Sequence, residues 1–305
     1  IVVPTTPVVP DTNSILSAIP AEAEVFSVID LSSAFFSIPV HKESQYLFSF
    51  TWKGSQLTWT RMPMGFTESP TVYAAAVKKD LDCLTLEGGS TVIQYADDLL
   101  IASPSLQACE RDTIALLNHL QERGHKASLS KFQCCLPEVT YLGYVISKGL
   151  RKISPERVSA IMRMPPPATR KDMMTFLGMT NYCRQWIADY RSYDEPLRKC
   201  TLSTAPTKIE WTVETTNCYV KLKEALCTAP ALGLPDYKLP FHLYVSEKDG
   251  IANGVLTQKH GSGRRPVAYY SMSLPGVVKG FPACLRSIAA AAVMVEKTAP
   301  IVLDY

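Results

Sequence analysis

The sequence lacks the features that mark membrane, secreted and zinc-binding proteins. No apolar run reaches the roughly 20 residues that span a bilayer, and no basic-then-apolar signal segment opens the chain. The nine cysteines include no C-x-x-C pair, and the five histidines are equally dispersed. An odd, scattered set of cysteines indicates reduced thiols. We therefore expect an intracellular protein by default, with no membrane segment and no assigned compartment.

Basic residues are also absent from one part of the chain and concentrated in another. Residues 1–40 contain no Lys or Arg, whereas residues 121–200 contain 14 Lys/Arg against 7 Asp/Glu, a difference of +7. The 305 residues are 47% hydrophobic and 19% charged, which indicates a globular chain of two or three domains. A basic stripe is typical of a surface that grips a phosphate backbone. The alternative is a solvated helical surface.

Three carboxylates stand at the ends of apolar segments. Asp97 and Asp98 lie between the apolar runs 91–94 and 99–102, and Asp30 ends the apolar segment 25–29. Burying an ionised carboxylate without a partner costs several kcal/mol, which favours a cation at this place. Oxygen ligands suit Mg²⁺, and two metal ions held by shared Asp residues catalyse phosphoryl transfer. The alternative is an Asp pair in a solvated hairpin turn.

Five segments resemble, in order and spacing, the catalytic motifs and the primer-contacting hairpin of retroviral reverse transcriptases. The segments are FSVIDLSSAFF at 26–36, LTWTRMPMGF at 57–66 with Ser69-Pro70, YADD at 95–98, KASLSK at 126–131 and YLGY at 141–144. The resemblance runs the whole length of the chain. It is closest to the gammaretroviral type, including the polymerases of endogenous retroviruses.

The resemblance implies a role for each motif residue. The catalytic residues would be Asp30, Asp97, Asp98 and Lys131. The three aspartates would ligate two Mg²⁺ ions, with Mn²⁺ as a possible substitute. The incoming nucleotide would contact Leu31, Ser32, Ser33, Ala34, Phe35 and Met64. The primer would contact Tyr95, Tyr141, Leu142, Gly143 and Tyr144.

The resemblance also implies an α+β fold made of a polymerase palm, a helical thumb and a ribonuclease-H-like α/β connection domain. We expect a remnant of the fingers or a lead-in to the palm at 1–24, the palm at 25–147, the thumb at 148–203 and the connection domain at 204–305. In an active ribonuclease H an Asp occupies the first strand, and Ser246 stands there in this chain. We therefore expect a non-catalytic relative, with Glu247 and Asp249 as solvated turn residues.

Local patterns predict the individual elements. Strands are predicted at 25–30, 46–52, 56–61, 91–96, 98–102 and 139–146, and helices at 32–36, 68–85 and 105–123, the last ending at Gly124. A short helix capped by Asp11 or Asn13 is predicted to end near Ala18. Residues 154–200 are predicted to be helical, with caps at Ser154 and Thr169 and the second helix reaching Trp186. Beyond them we predict helices at 214–228 and 282–297, and strands at 241–246, 252–258 and 265–271.

The predicted activity is that of an RNA-directed DNA polymerase. It would extend a primer on an RNA or DNA template with deoxynucleoside triphosphates, without a membrane partner and with the oligomeric state left open. Three departures from the family lead us to expect weak or no activity in this fragment. Met64 replaces a Gln, Ser33 replaces an Asp, and the chain begins after most of the fingers and ends before a ribonuclease H domain. The alternative is a domesticated, non-catalytic remnant of an endogenous retrovirus that binds nucleic acid or protein.

Overall fold

The computed structural model describes residues 12–302, with side chains from residue 15. The chain divides into two compact units, the first ending at Leu142 and the second beginning at Gly143. The predicted cap Asp11 lies outside the described residues, and Asn13 lies within the first helix. No helix in the described range is long and apolar enough to cross a membrane.

The first unit is an antiparallel sheet with helices packed against it. Its helices are α1 (Thr12–Ser17), α2 (Ala34–Ser37), α3 (Ser69–Leu81) and α4 (Leu106–Glu122). Its strands are β1 (Val25–Asp30), β2 (Ser49–Trp52), β3 (Ser55–Thr58), β4 (Thr91–Tyr95), β5 (Asp98–Ser103), β6 (Gln133–Leu136) and β7 (Glu138–Tyr141). The main sheet has the order β4-β5-β1-β6, and β2 and β3 form a separate hairpin.

The central strands β1 and β5 position the site because they are the most buried part of this sheet. Residues 26–29 and 99–103 are all buried, as their nearly continuous apolar sequence predicts. One buried cluster joins these strands to α3 and α4; its members are Ile29, Leu31, Met62, Tyr73, Val77, Leu99, Ile101, Leu116 and Leu120. The polar ends of β1 and β5 are therefore carried on a rigid apolar layer.

The second unit joins a helical region to a second antiparallel sheet. It contains β8 (Tyr144–Ser147), β9 (Leu150–Ile153), α5 (Pro155–Arg163), α6 (Arg170–Tyr182), α7 (Tyr190–Lys199), α8 (Val213–Cys227), β10 (Leu232–Gly233), β11 (Phe241–Lys248), β12 (Ile251–His260), β13 (Gly263–Ser273), α9 (Gly276–Lys279) and α10 (Ala283–Val302). Strands β11, β12 and β13 pair antiparallel in that order. Helix α10 packs on this sheet through Ala290 and Met294, which are fully buried.

In this unit, helices α5 and α6 begin directly after the capping residues predicted from the sequence. The Ser154 side chain accepts the N–H of Arg157, with Pro155 as the first residue of α5. Thr169 and Asp172 form a reciprocal capping box at the start of α6. Both caps confirm the positions predicted from the sequence, because the cap chemistry is local.

The mixed helix-and-sheet class predicted from the sequence is confirmed, with several local corrections. The predicted strand 46–52 is wrong in its first half, because residues 42–48 form a 3-10 helix. The predicted strand 139–146 is two strands, β7 and β8, separated by a turn in which Leu142 and Gly143 have φ of 51° and 75°. The predicted helix from Thr169 ends at Tyr182, before a 3-10 turn. Strands β6, β9 and β10 were not predicted.

Candidate active site

Two of the predicted catalytic carboxylates lie in register at one end of the main sheet. Asp30, the last residue of β1, is the antiparallel partner of Asp98, the first residue of β5. Opposed residues in an antiparallel pair have Cβ atoms about 4.5–5.5 Å apart, and like charges there repel. The strand pairing therefore brings together two carboxylates that are 68 positions apart in the sequence.

The third carboxylate, Asp97, lies in the hairpin turn between β4 and β5. Tyr95 pairs with Asp98, which leaves Ala96 and Asp97 as the two turn residues. Ala96 has φ of 51°, a left-handed conformation that a tight hairpin turn requires. The Asp97 carbonyl accepts the N–H of Leu31 at 2.8 Å, which fastens the turn to the end of β1.

A lysine from the fourth motif reaches the first motif through backbone pairing. The N–H of Ser128 donates to the Asp30 carbonyl at 2.8 Å, and the N–H of Ser32 donates to the Lys126 carbonyl at 2.7 Å. This pairing brings Lys131 Nζ to 2.9 Å from Asp30 Oδ2. The hydrogen bond to Asp30 and the charges of all three aspartates raise the pKa of Lys131, so its ammonium stays charged.

The carboxylate cluster is short of positive charge. Burial, then the charges of Asp97 and Asp30, raise the pKa of Asp98 from 3.8 to about 6, although Lys131 acts in the opposite direction. No group of three His, Cys, Asp or Glu side chains between residues 12 and 302 is already arranged to hold a metal ion. The donors are nonetheless all carboxylate oxygens, which is the chemistry that Mg²⁺ prefers. An added divalent cation would relieve the repulsion that raises the pKa of Asp98.

The residues predicted to meet the nucleotide follow Asp30 directly. Leu31 is buried, Ser32 and Ala34 are partly exposed, and Ser33 is exposed with φ of 55°. Phe35 is partly buried and lies within α2. Met64 lies on the loop before α3 with 68% of its surface exposed. The side chains of Ser33 and Met64 are therefore open to solvent, whereas Phe35 has a fixed neighbour.

That neighbour, Tyr73 of α3, was missed by the sequence analysis. The rings of Phe35 and Tyr73 meet edge to face with centroids 5.8 Å apart. Tyr73 is 1% exposed, and its hydroxyl has no hydrogen-bond partner in the structure. Burial, then the charges of Asp97 and Asp30, raise the pKa of Tyr73, which keeps the hydroxyl protonated. A polar tyrosine in an otherwise apolar stretch is a weak signal that periodicity alone does not distinguish from core packing.

The residues predicted to contact the primer fall on both sides of the boundary between the two units. In the first unit, the buried Tyr141 hydroxyl donates to the carbonyls of Ile93 and Asp98 at 3.5 and 3.4 Å. Tyr95 ends β4 beside the carboxylates, and Leu142 is partly exposed. The Tyr141 side chain therefore supports the Asp98 strand and is not available on the surface.

In the second unit, Gly143 and Tyr144 are held by Arg157. The Tyr144 ring is completely buried, stacked on Trp186 with centroids 4.9 Å apart. The Arg157 guanidinium lies 3.9 Å from the Tyr182 ring centroid and occupies the space that a side chain on Gly143 would need. Any surface that this segment offers is therefore its backbone and not the Tyr144 ring.

In the second unit, the expectation that Glu247 is a solvated turn residue is wrong. Glu247 is not solvated: its side chain is 4% exposed, pairs with Arg286 and accepts the Gly250 N–H at 2.7 Å. Asp249 is exposed in the turn with φ of 54°, as expected for an Asp at such a position. Ser246 is on strand β11, opposite Asn253. Glu247 is thus a structural carboxylate that closes the turn.

Comparison with known protein families accounts for most of the chain. Residues 4–146 match the family of reverse transcriptases (RNA-dependent DNA polymerases). Residues 211–305 match the RNase H-like domain found in reverse transcriptases. The two matches have the order expected from the sequence motifs.

Curated relatives are retroviral polyproteins. The chain is 43% identical over 304 residues to the Pol polyprotein of Feline endogenous virus ECE1, covering 97% of this chain and 29% of the relative. It is also 43% identical over 304 residues to the Gag-Pol polyprotein of Baboon endogenous virus (strain M7), covering 18% of that relative. The chain thus spans less than a third of the length of these relatives.

Solved structures of similar fold come from foamy viral protease-reverse transcriptases. One, in complex with double-stranded DNA, has a TM-score of 0.87 and 25% identity, covering 99% of this chain and 52% of that chain. Another, in complex with an RNA/DNA hybrid, has a TM-score of 0.84 and 25% identity, covering 98% of this chain and 40% of that chain. The carboxylate geometry, the two family matches and these relatives together identify the chain as a retroviral Pol-type sequence with a reverse transcriptase domain followed by the RNase H-like domain found in reverse transcriptases.

Proposed function

We propose that this chain carries the catalytic palm of an RNA-directed DNA polymerase that extends a primer with deoxynucleoside triphosphates. The observation that carries the proposal is the pairing of Asp30 with Asp98 beside the Asp97 turn. Three carboxylates at one sheet end are the feature that two-metal phosphoryl transfer needs. The palm would comprise residues 25–147, the thumb 148–203 and the connection domain 204–305, with 1–24 leading into the palm.

The proposed metal ligands are Asp30, Asp97 and Asp98. They would hold two Mg²⁺ ions, and Mn²⁺ could replace them because it shares the preference for oxygen ligands. When bound, the ions would stabilise the charge that develops on the phosphoryl oxygens. Asp30 is paired with Lys131, so metal binding would compete with this ion pair.

The other motif residues are proposed to orient the substrates. Lys131 would hold a proton at Nζ for the departing pyrophosphate, and its raised pKa keeps that proton in place. The backbone from Leu31 to Ala34 would face the triphosphate, because Ser33 is exposed in a left-handed conformation. Phe35 would lie under the sugar and exclude a 2′-hydroxyl, since Tyr73 fixes its ring edge to face.

Met64 is proposed to contact the base of the incoming nucleotide, and Tyr95 with residues 141–144 to contact the primer. Met64 projects from its loop with 68% exposure, and its thioether offers no hydrogen-bond donor to a base. Tyr95 would line the primer end next to Asp98, its partner in the hairpin. Tyr141, Leu142, Gly143 and Tyr144 would act mainly through backbone, because both tyrosine rings are buried. The template would be RNA or DNA annealed to the primer.

The test is primer extension on an RNA template with Mg²⁺, comparing the chain with Asp97→Asn. We expect any extension to be lost in Asp97→Asn and kept in Asp249→Asn, a matched control at an exposed turn of the second unit. Mn²⁺ titration followed by electron paramagnetic resonance supplies a readout that needs no catalysis. Equal Mn²⁺ binding by the chain and by Asp97→Asn would overturn the assignment of the site.

A second candidate is a non-catalytic nucleic-acid-binding protein derived from an endogenous retrovirus. The exposed Met64, at a motif position where the resemblance implies a hydrogen-bonding Gln, favours it. The Lys131–Asp30 ion pair also neutralises one proposed metal ligand. Salt-dependent binding of a primer–template by the chain, with no extension in Mg²⁺ or Mn²⁺, would select this function over the polymerase.

A further inference from the structure

The sulfur atoms of two adjacent cysteines on the edge strand β6 lie close to each other. Cys134 Sγ and Cys135 Sγ are 3.7 Å apart. In a regular strand successive side chains point to opposite faces of the sheet. A contact between neighbouring side chains in a strand therefore requires an irregular backbone at this point.

The irregularity is present in the pairing of β6 with β1. The register between these strands shifts between Phe26 and Val28, as in a β-bulge. Cys135 has φ of 50°, and its N–H donates to the side-chain oxygen of Ser27 at 2.9 Å. Ser27 is completely buried on β1. The bulge is thus anchored to the buried centre of β1, and it brings the two sulfur atoms into contact.

The pair is accessible and both thiols are free. Cys134 is exposed and Cys135 is partly exposed. Their spacing fits a single bridging atom, because two bonds of about 2.3 Å to sulfur at a pyramidal angle of about 100° place the sulfurs about 3.5 Å apart. The pair is therefore already close to the geometry of a two-sulfur chelate.

The surroundings decide which thiophilic ligand fits. A zinc ion needs four ligands in a structural site, and within residues 12–302 no three His, Cys, Asp or Glu side chains form such a group. The nearby Cys109 is buried, and burial raises its pKa, so it stays a neutral thiol. The site favours a ligand whose valence is completed by two sulfurs.

We propose that Cys134 and Cys135 form a dithiol site that binds a monosubstituted trivalent arsenical, a ligand class that needs two neighbouring thiols. Each sulfur forms one As–S bond, and the As=O oxygen leaves as water with the two thiol protons. Arsenic stays trivalent, so no oxidant or reductant is consumed. The site lies on β6, and its ligand is distinct from the metal ions and nucleotides proposed for the carboxylate cluster.

The test is titration of the purified chain with phenylarsine oxide, followed by mass spectrometry of the intact protein under native conditions. We expect one adduct per chain, reversed by ethanedithiol and not by a monothiol. Cys134→Ser and Cys135→Ser should each weaken binding at least tenfold. Cys83→Ser and Cys227→Ser, which remove single exposed thiols, should leave binding unchanged.

Two outcomes would overturn the proposal. Full adduct formation in both Cys134→Ser and Cys135→Ser would place the arsenical elsewhere. Binding that survives Cys134→Ser but is lost in Cys109→Ser would assign the chelate to the buried thiol pair. Because Cys134 is exposed, its substitution by Ser tests the site without threatening the fold.

Discussion

Asp30 and Asp98 face each other as direct partners across the antiparallel pair of β1 and β5. Like charges at directly opposed positions repel each other and destabilise the strand pairing. Here the strand residues next to the two carboxylates are buried and mostly apolar, so the core supplies stability that the charge repulsion reduces. An arrangement of this kind is typical of sites where function opposes stability.

Replacing Asp98 with Asn should stabilise the metal-free protein while removing any polymerase activity. We expect the free energy of unfolding to rise by up to about 1 kcal/mol, since one of two opposed charges is lost at a partly screened position. Denaturant unfolding in EDTA at neutral pH measures this change. Asp249→Asn, at an exposed turn, should leave the free energy unchanged, and a loss of stability in Asp98→Asn would contradict the prediction.

Replacing Tyr73 with Phe should also stabilise the protein. The Tyr73 hydroxyl is buried without a partner, and such a group costs about 1–3 kcal/mol. Tyr190→Phe is the matched control, because the buried Tyr190 hydroxyl donates to Asp194 Oδ1 at 3.3 Å. Urea denaturation should therefore show opposite changes in the two variants. A lower stability of Tyr73→Phe would mean that the hydroxyl has a partner in solution.

Removing the charge of Asp194 should strongly destabilise the second unit. The Asp194 carboxylate is 1% exposed and is paired with Arg198 through contacts of 2.9 and 2.7 Å and with Arg191 at 2.6 Å. Asp194→Asn would remove the buried counter-charge of Arg198 and leave Arg191 with its longer ionic contact to Glu195 at 3.5 Å. We expect a loss of about 3 kcal/mol in the free energy of unfolding.

The control for this change keeps the buried carboxylate paired. Arg198→Ala leaves Arg191 on Asp194, so it should cost clearly less than Asp194→Asn. Both variants are compared by thermal and denaturant unfolding. Equal losses in the two variants would show that the buried charge itself is not the critical group.

Because of the capping box of α6, the free energy of unfolding should decrease as the pH falls into the acid range. Hydrogen bonds from the Thr169 hydroxyl and N–H lower the pKa of Asp172. The ionised carboxylate therefore stabilises the folded state above the ordinary Asp pKa of about 3.9, and this effect is lost as the pH falls through the folded-state value. Asp172→Asn should be less stable than the native chain at pH 7 and nearly equal to it near pH 2, as measured by denaturant unfolding.

The sequence predicts the parts of the site that depend on local pattern. Asp30 and the Asp97-Asp98 pair end apolar segments, and both lie at the end of the sheet where the motifs place them. It does not predict the partners that depend on long-range packing. Tyr73 reaches Phe35 because α3 packs against α2, and Glu247 is buried beside Arg286 of α10. Likewise, the bulge at Cys135 depends on Ser27, which is 108 positions away.

Gly143 limits how this chain can vary. Its φ of 75° already disfavours any residue with a side chain, and the Arg157 guanidinium fills the space that a Cβ atom would take. A substitution there would have to displace Arg157 from its stack on Tyr182. Substitutions in this segment should therefore be tolerated at the neighbouring positions more readily than at Gly143.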